Sequence, residues 1–515
     1  MPNSAAELLT QLQTLNRDGK YEEVLSLMET IPEARFETAI EMEIARAYLS
    51  LVGDDSTDAE QSFSEIVEIL SRGENEYRDN PDWHALVGMA HMNASNEEGL
   101  AVGHLQFAYE HYPEAGLFVT RERLAKLLER AEMILSVPAT YRAPFAQRVK
   151  TAWTAFEANE AHFRELLARA RSGAYEEAEP AINAMGEIFN QVLNGVEFEL
   201  GFDGEREVIT FTAQGVQPAL FALAHFVNAM PKTLSNRWVV YATRQAHPEV
   251  GLRAGDVKVA AHDVQAWIEP VGEGLVRLYL YAEALNDRLA SDPQFVWWFL
   301  TNLADQSLGE LTTMSTLAGI QVIERPLTGR EAEAIPLSEV GERLKTMIPS
   351  LTTLSVATVL NRPFHYERTP TPSDMWRSDI ARGMTLSTPI LNQYYQGNPQ
   401  FVDMMHKNGI ALGYLAWRVD DQSDEERRRL NEALKARLLA ATTETGEASL
   451  VILGEASGLT YDYLDLMAWD LKPVLNHAKA FFEEEGISES AFLAMRSGVK
   501  TFYLTGTPEG GVTQA

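Results

Sequence analysis

Four of the eleven histidines fall inside one stretch, residues 81–113, PDWHALVGMAHMNASNEEGLAVGHLQFAYEHYP. His84 and His91 stand seven residues apart, as do His104 and His111, so each pair shares one face if the stretch forms two helices. Clustered imidazoles suggest a metal centre. Side chains at i and i+7, however, lie about 10 Å apart along a helix, and a single ion draws more readily on i, i+3 or i, i+4 positions. No His-Glu-x-x-His pattern accompanies them. No metal and no other cofactor is expected.

Carboxylates gather near the C-terminus, in Tyr461-Asp462-Tyr463-Leu464-Asp465, Glu455 and Asp470. Glu455 and Asp462 could act as an acid/base pair if they faced each other across a hairpin, whereas Asp470 more simply caps the helix after it. Gly454 and Gly458 lack the Lys and Thr of a phosphate loop, and neither a nucleophile elbow nor a dinucleotide fingerprint is present. No residue is therefore assigned a catalytic role. The run 425–429, EERRR, reads as an exposed helix face, and Trp297, Trp298 and Trp417 read as core.

Composition narrows the classes further. With 74 acidic and 43 basic side chains the net charge is −31, a field that repels nucleic acid and anionic membrane surfaces and favours basic partners. The same acidity also serves solubility alone. Zero cysteines exclude disulfides, thiolate metal sites and cysteine nucleophiles. No apolar run approaches the ~20 residues that span a bilayer. The N-terminus shows no basic region followed by an apolar core, so no secretory signal is expected and the cytoplasm is the simplest setting.

The elements that must position these residues follow from periodicity. Leu8, Leu12 and Leu15 recur at helical spacing, Gly19 ends that helix, and Val24 to Met28 begin a second. Ile40, Ile44, Ala47, Tyr48 and Leu51 form a stripe, and after the polar turn at 53–56 come Ala59, Phe63, Ile66, Val67 and Leu70. Residues 81–113 make the third helix pair. Helix, polar turn, helix, repeated at roughly 35 to 42 residues, is a solenoid signature. An antiparallel helix bundle has the same periodicity.

At these residues the front of the chain, 5–115, resembles the tetratricopeptide repeat, in a degenerate form. Trp83 and Leu86 match the first helix of that family's unit, and Ala101, Leu105, Ala108 and Pro113 match the second; Ile44, Ala45, Tyr48, Ala59 and Phe63 match in the preceding pair, and Gly19, Tyr21 and Met28 in the first. The turns run about two residues longer than the family's. The resemblance implies a concave groove lined by the first helix of each pair. Carried onto this chain, that groove presents Arg17, Arg46, His84 and His91, with Gln13 and Asn16 nearby, as candidate contacts for a peptide carboxylate or acidic segment. Scattered solvated side chains are the alternative.

Behind the front, residues 120–135, 144–171 and 175–193 read as helices, with Pro180 an awkward interior residue. The period then changes. Val196, Phe198 and Leu200 alternate up to the turn 201–204, and Val208 to Thr212 return as a hairpin. Strands are expected at 238–241, 257–260, 264–268, 275–281 and 319–323, and helices at 218–230, 295–313 and 337–347. After the linker-like TPTPSD at 369–374, strands at 410–419, 449–453 and 461–468 interleave with helices at 424–441 and 472–484.

The expected architecture is α+β and multidomain: helical repeats over 1–137, bracing helices over 138–195, an α+β domain over 196–350 and a second over 355–505. Hairpin-then-helix order in both rear domains suggests a duplication. A repeat front joined to such a rear resembles bacterial repeat proteins, a likeness that brings no substrate and no catalytic residue. The expected function is protein–protein interaction, with a protein or peptide held in the helical groove. An enzyme whose site lies between the α+β units, and an acidic inhibitor that neutralises a basic toxin, are the alternatives.

Overall fold

A computed structural model describes residues 4–31, 37–51, 66–93, 98–113, 119–137, 143–171, 178–272, 274–371, 375–419, 422–443, 446–496 and 499–506. The expected turn at 53–56, the repeat positions Ala59 and Phe63, the start of the 175–193 helix, the end of the 369–374 linker and most of the C-terminal tail lie outside them. The chain is mixed α+β with mainly antiparallel sheets, and it divides into two compact units. Unit 1 comprises Met1–Ala146, Glu367–Gly383 and Asn392–Ala515; unit 2 comprises Gln147–Tyr366 and Met384–Leu391.

Unit 1 opens with helices. Ser4 caps the first, Ala5–Arg17, by accepting the Glu7 N–H, and Leu8 and Leu12 pack with Val24, Met28, Ile40 and Ile44. Helices Pro81–Asn93 and Glu98–His111 form an antiparallel pair whose axes approach closely at Gly88: a Cβ there would lie 2.8 Å from Leu105 Cγ. Trp83, Leu86, Ala101, Leu105 and Ala108 are all buried in that seam, and Met42, Ala45, Ile66 and Leu70 join the same core. Thr120 caps the next helix, Arg121–Ser136.

A seven-stranded sheet falls mostly within unit 1, with Phe364–Tyr366 and Met384–Thr385 counted in unit 2. Its strands, β10 (Phe364–Glu367), β11 (Ile380–Thr385), β12 (Ala411–Arg418), β13 (Leu450–Gly458), β14 (Tyr461–Ala468), β15 (Ser490–Ala494) and β16 (Phe502–Thr505), take the order β10-β11-β13-β14-β12-β15-β16. β12, flanked by β14 and β15, is buried along almost its whole length, which is why it reads as one apolar run. Leu415, Trp417, Leu464 and Leu466 face helices Asp424–Leu439 and Leu471–Glu484. Burying each such side chain contributes about 1.5–3 kcal/mol. Ser423 and three acidic residues start the first of those helices, where carboxylates suit the N-terminal dipole.

Unit 2 contains the hairpin β1 (Glu197–Asp203) and β2 (Arg206–Thr212), with β3 (Trp238–Tyr241) added parallel to β2 after the crossover helix Gln217–Asn228. Trp153, Phe156, Phe189, Phe211 and Phe226 stack beneath it. β4 (Gly251–Ala254) and β5 (Val257–Ala260) form a hairpin, while β6 (Gln265–Gly272), β7 (Leu275–Tyr281), β8 (Leu317–Val322) and β9 (Ile335–Pro336) form a sheet in the order β8-β7-β6-β9. Helices Pro293–Leu308 and Leu337–Met347 cover its core.

Several expectations change in detail. The helix expected over 295–313 breaks at Gly309, whose φ of 81° suits glycine and whose missing side chain admits the backbone N of Ala246, 2.8 Å from where a Cβ would stand. β13 continues through 454–458, beyond the strand end expected at 453, by way of an irregularity between Ile452 and Gly454. Pro180 lies in the first turn of helix Glu179–Asn190, where its missing N–H costs nothing. β10, β11, β15, β16 and helices Thr388–Gln396 and Gln400–Lys407 were not expected. The hairpin-then-helix order is present in both units, but β3 joins its hairpin in parallel whereas β15 pairs with β12 antiparallel.

Candidate binding surfaces

The four residues assigned to a groove do not form one polar surface. Arg17 is exposed and donates weakly to Thr14 Oγ1 at 3.5 Å. Arg46 lies between carboxylates, 3.5 Å from Glu43 and 3.8 Å from Asp82, and its side chain is largely covered. Asn16 donates to the same Glu43 carboxylate at 2.8 Å, and Tyr112 donates to Asp82 at 2.6 Å. An incoming carboxylate would meet a guanidinium already neutralised.

His84 and His91 turn toward helix Glu98–His111. The Nδ1 atoms of His84 and His104 are 2.9 Å apart, and His84 Nε2 is 2.7 Å from the Arg78 carbonyl oxygen. His91 is buried and stacks on His104, with ring centroids 5.7 Å apart. Phe107 stacks on His84 at 4.0 Å and on His111 at 4.2 Å. Burial holds both His84 and His104 below the ordinary imidazole value, and the neighbouring His84 and His91 help push His104 down to about 4. Among the described residues no group of three or more candidate ligands is placed to hold a metal ion.

The C-terminal carboxylates are engaged as ion pairs. Asp462 sits opposite Ser457 in the β13–β14 register and accepts two bonds from Arg427, while Glu455 sits opposite Leu464 and accepts from Lys435 at 3.0 Å and Asn431 at 2.9 Å. Each carboxylate has its own cation rather than the other as partner. Asp470 caps helix Leu471–Glu484 as expected, accepting from the Lys472 N–H.

On the other face of the sheet, Arg377 is buried and pairs through two nitrogens with buried Asp465. Its guanidinium carbon stands 4.9 Å from the ring centroid of Tyr414, 5.4 Å from Tyr394 and 5.5 Å from Tyr463. Its φ of 67° lies in the left-handed region, an unusual state for a non-glycine residue. Tyr463 donates to Asp379 at 2.5 Å, and Asp379 accepts from the Thr460 and Tyr461 N–H groups at 3.0 Å. Burial raises the phenol pKa of Tyr394, Tyr414 and Tyr463, so all three stay protonated and serve as donors. Tyr394 also walls a small open pocket of about 120 Å³ with Gln393, Asn398 and Arg496. This cluster supplies neutralised charge and protonated phenols, which pins the 375–379 segment onto the sheet.

In unit 2 two indoles expected in the core lie outside it. Val296, Phe299, Leu300, Leu303 and Ala304 fill the core, and successive residues rotate by about 100° around a helix, so Trp297 and Trp298 fall outside it. They are 55% and 50% exposed. A helix packed on one face cannot bury all of 295–300, FVWWFL. Trp298 stands 6.0 Å from the Phe295 ring, Arg288 lies over that ring at 4.0 Å, and Asp256 pairs with Arg288 at 3.3 Å. Asp292 caps the helix by accepting the Phe295 N–H at 3.1 Å. The result is an exposed aromatic face with carboxylates at its N-terminal end.

Among the described residues no helix is long and apolar enough to cross a membrane. No protein-family model, curated protein or solved structure matches the chain.

Proposed function

We propose that this chain is an interaction protein whose partner is a basic protein or peptide segment, and that the segment docks on the Trp297–Trp298 face of unit 2. The observation that carries this reading is the half-exposure of two adjacent indoles on a packed helix. Tryptophan is enriched among residues that dominate binding energy, since it contributes a large rigid contact at little entropic cost. The net charge of −31 favours a cationic partner and repels an acidic one. Arg288 over Phe295 is an internal example of the same contact, a guanidinium on an aromatic face.

The helical front of unit 1 is read as a tetratricopeptide-like platform, supported by the buried positions Trp83, Leu86, Ala101, Leu105 and Ala108. A groove on that platform is the weaker binding candidate, because Arg46 is already held by Glu43 and Asp82 and His91 is buried.

Calorimetric titration of the full chain with a Lys/Arg-rich decapeptide tests the proposal. Binding is expected to weaken at least about tenfold in a Trp297→Ala, Trp298→Ala variant, and to weaken further as salt rises. Equal affinity for an acidic peptide of the same length, or binding unchanged by the substitutions, would overturn it.

A further inference from the structure

The histidines of the Pro81–Asn93 and Glu98–His111 hairpin are arranged so that one proton joins the two helices. The His84 and His104 Nδ1 atoms are 2.9 Å apart and the ring centroids 4.9 Å apart, which places the nitrogens close to the line joining the rings. Metal–imidazole bonds of about 2.0–2.1 Å leave no room for an ion between nitrogens that meet head-on at this distance. A shared hydrogen fits.

The tautomers follow from the neighbours. The Arg78 carbonyl can only accept, so His84 Nε2, 2.7 Å away, carries a hydrogen. Neutral His84 therefore offers a bare Nδ1, and His104 Nδ1–H donates to it. A proton added to His84 goes to Nδ1 and is shared with His104 only if His104 holds its own hydrogen on Nε2; with both rings charged, two Nδ1–H groups confront each other and the bond is lost. A proton added to His104 must go to Nε2, and there it charges a ring stacked against His91.

The surroundings oppose a second charge. His84 faces Asp79, which favours its charging, and His111, which opposes it; His104 faces His84 and His91. Trp83 meets both rings edge-on, at 5.0 and 5.5 Å, and Phe107 covers His84. Helix Thr38–Leu51, which shares this core, carries Glu43 and Arg46, paired with each other, and Arg46 also meets Asp82. Helix Arg121–Ser136 presents apolar Leu124, Ala131 and Ile134 and places Arg121 over the Tyr109 ring.

We propose that the His84–His104 pair is an acid-operated latch: sharing one proton it closes the seam between the two helices, and charging both rings opens it. Neutral imidazoles at pH 7 accord with the lowering of both groups, chiefly by burial, with His111 also opposing charge on His84, and with His84 and His91 helping to hold His104 at about 4. The sign follows. A folded-state pKa below the unfolded value near 6.5 gives stability that is complete above pH 6.5 and is lost as the pH falls from there toward 4.

Hydrogen exchange of the full chain at pH 7 and pH 4.5, corrected for intrinsic rates, tests the latch. Peptides covering 81–111 should lose at least about tenfold more protection on acidification than peptides covering β12. His104→Phe keeps a stacked ring without a titrating nitrogen, and its hairpin should lose little additional protection at the lower pH. The readout is the difference between the two pH values, so a variant merely loosened in packing would retain the wild-type difference and overturn the proposal. Equal protection of the wild-type hairpin at both pH values would overturn it too. Should His104→Phe fail to fold, an NMR titration of the wild-type His104 ring decides: a midpoint well below 6 supports the latch, and one at 6 or above refutes it.

Discussion

Arg377 and Asp465 form a two-pronged ion pair with both side chains at or below 1% exposure. Removing charges from water costs several kcal/mol per ion, and the pair repays this through its geometry and the three tyrosine rings around the guanidinium. Arg377→Met or Asp465→Asn leaves one partner buried without its counterpart and should destabilise unit 1 by about 3–5 kcal/mol. Replacing both, Arg377→Met with Asp465→Leu, should cost less than the sum. Urea melts read by hydrogen exchange at β14 give all three values, and strict additivity would show that the pair is not the stabilising element.

Glu310 plays the corresponding part in unit 2. Its buried carboxylate accepts from Thr212 Oγ1 at 3.1 Å and from the Gly215 and Arg244 N–H groups, each at 3.2 Å. These bonds tie helix Glu310–Thr316 to the end of β2 and to the segment after β3. Glu310→Gln turns an amide N–H₂ toward donors, and the cost should be about 1–3 kcal/mol in a urea melt of unit 2. A neutral effect would mean that one oxygen suffices for all three donors.

Two groups give unit 2 opposite pH responses. Burial pushes His225 down to about 4 from an unfolded value near 6.5, so its contribution is complete above pH 6.5 and is lost as the pH falls toward 4. The magnitude is on the order of 3 kcal/mol. Burial raises Glu310, so its contribution is present below its unfolded value of 4.5 and is lost as the pH rises through the higher folded value. Thermal melts of His225→Leu between pH 7 and 4 should show a flatter decline than the wild type. An identical decline would place the acid sensitivity elsewhere.

What the sequence discloses divides along physical lines. Strongly patterned segments are legible: β12 as a continuous apolar run, and β14, helix Leu337–Met347 and the seam of Trp83, Leu86 and Leu105 from the spacing of their apolar residues. Short strands such as β10 and β16 carry too few residues to show a period, and they exist because neighbouring strands leave an edge to fill. The Arg377 cluster is hidden for another reason: Arg377 and Asp465 are 88 residues apart, and a left-handed φ at an arginine has no sequence signature. Antiparallel packing of the two helices is enough to expect their histidine faces to meet, but which nitrogens meet, His84 Nδ1 on His104 Nδ1, depends on an offset that i, i+7 arithmetic along each helix does not give. At Trp297 and Trp298 the composition of the run masks what its helical wheel discloses.

The basic-partner account turns on Trp297 and Trp298, and their indoles can be observed individually. In the 5-fluorotryptophan-labelled chain, each of the nine tryptophan ¹⁹F resonances is assigned by Trp→Phe substitution, and a Lys/Arg-rich decapeptide is titrated in. The account predicts saturable shifts of the Trp297 and Trp298 resonances, suppressed by salt, with the signals of buried Trp153, Trp238 and Trp417 unmoved. Peptide binding that leaves Trp297 and Trp298 unshifted, or the absence of any saturable shift, would contradict it.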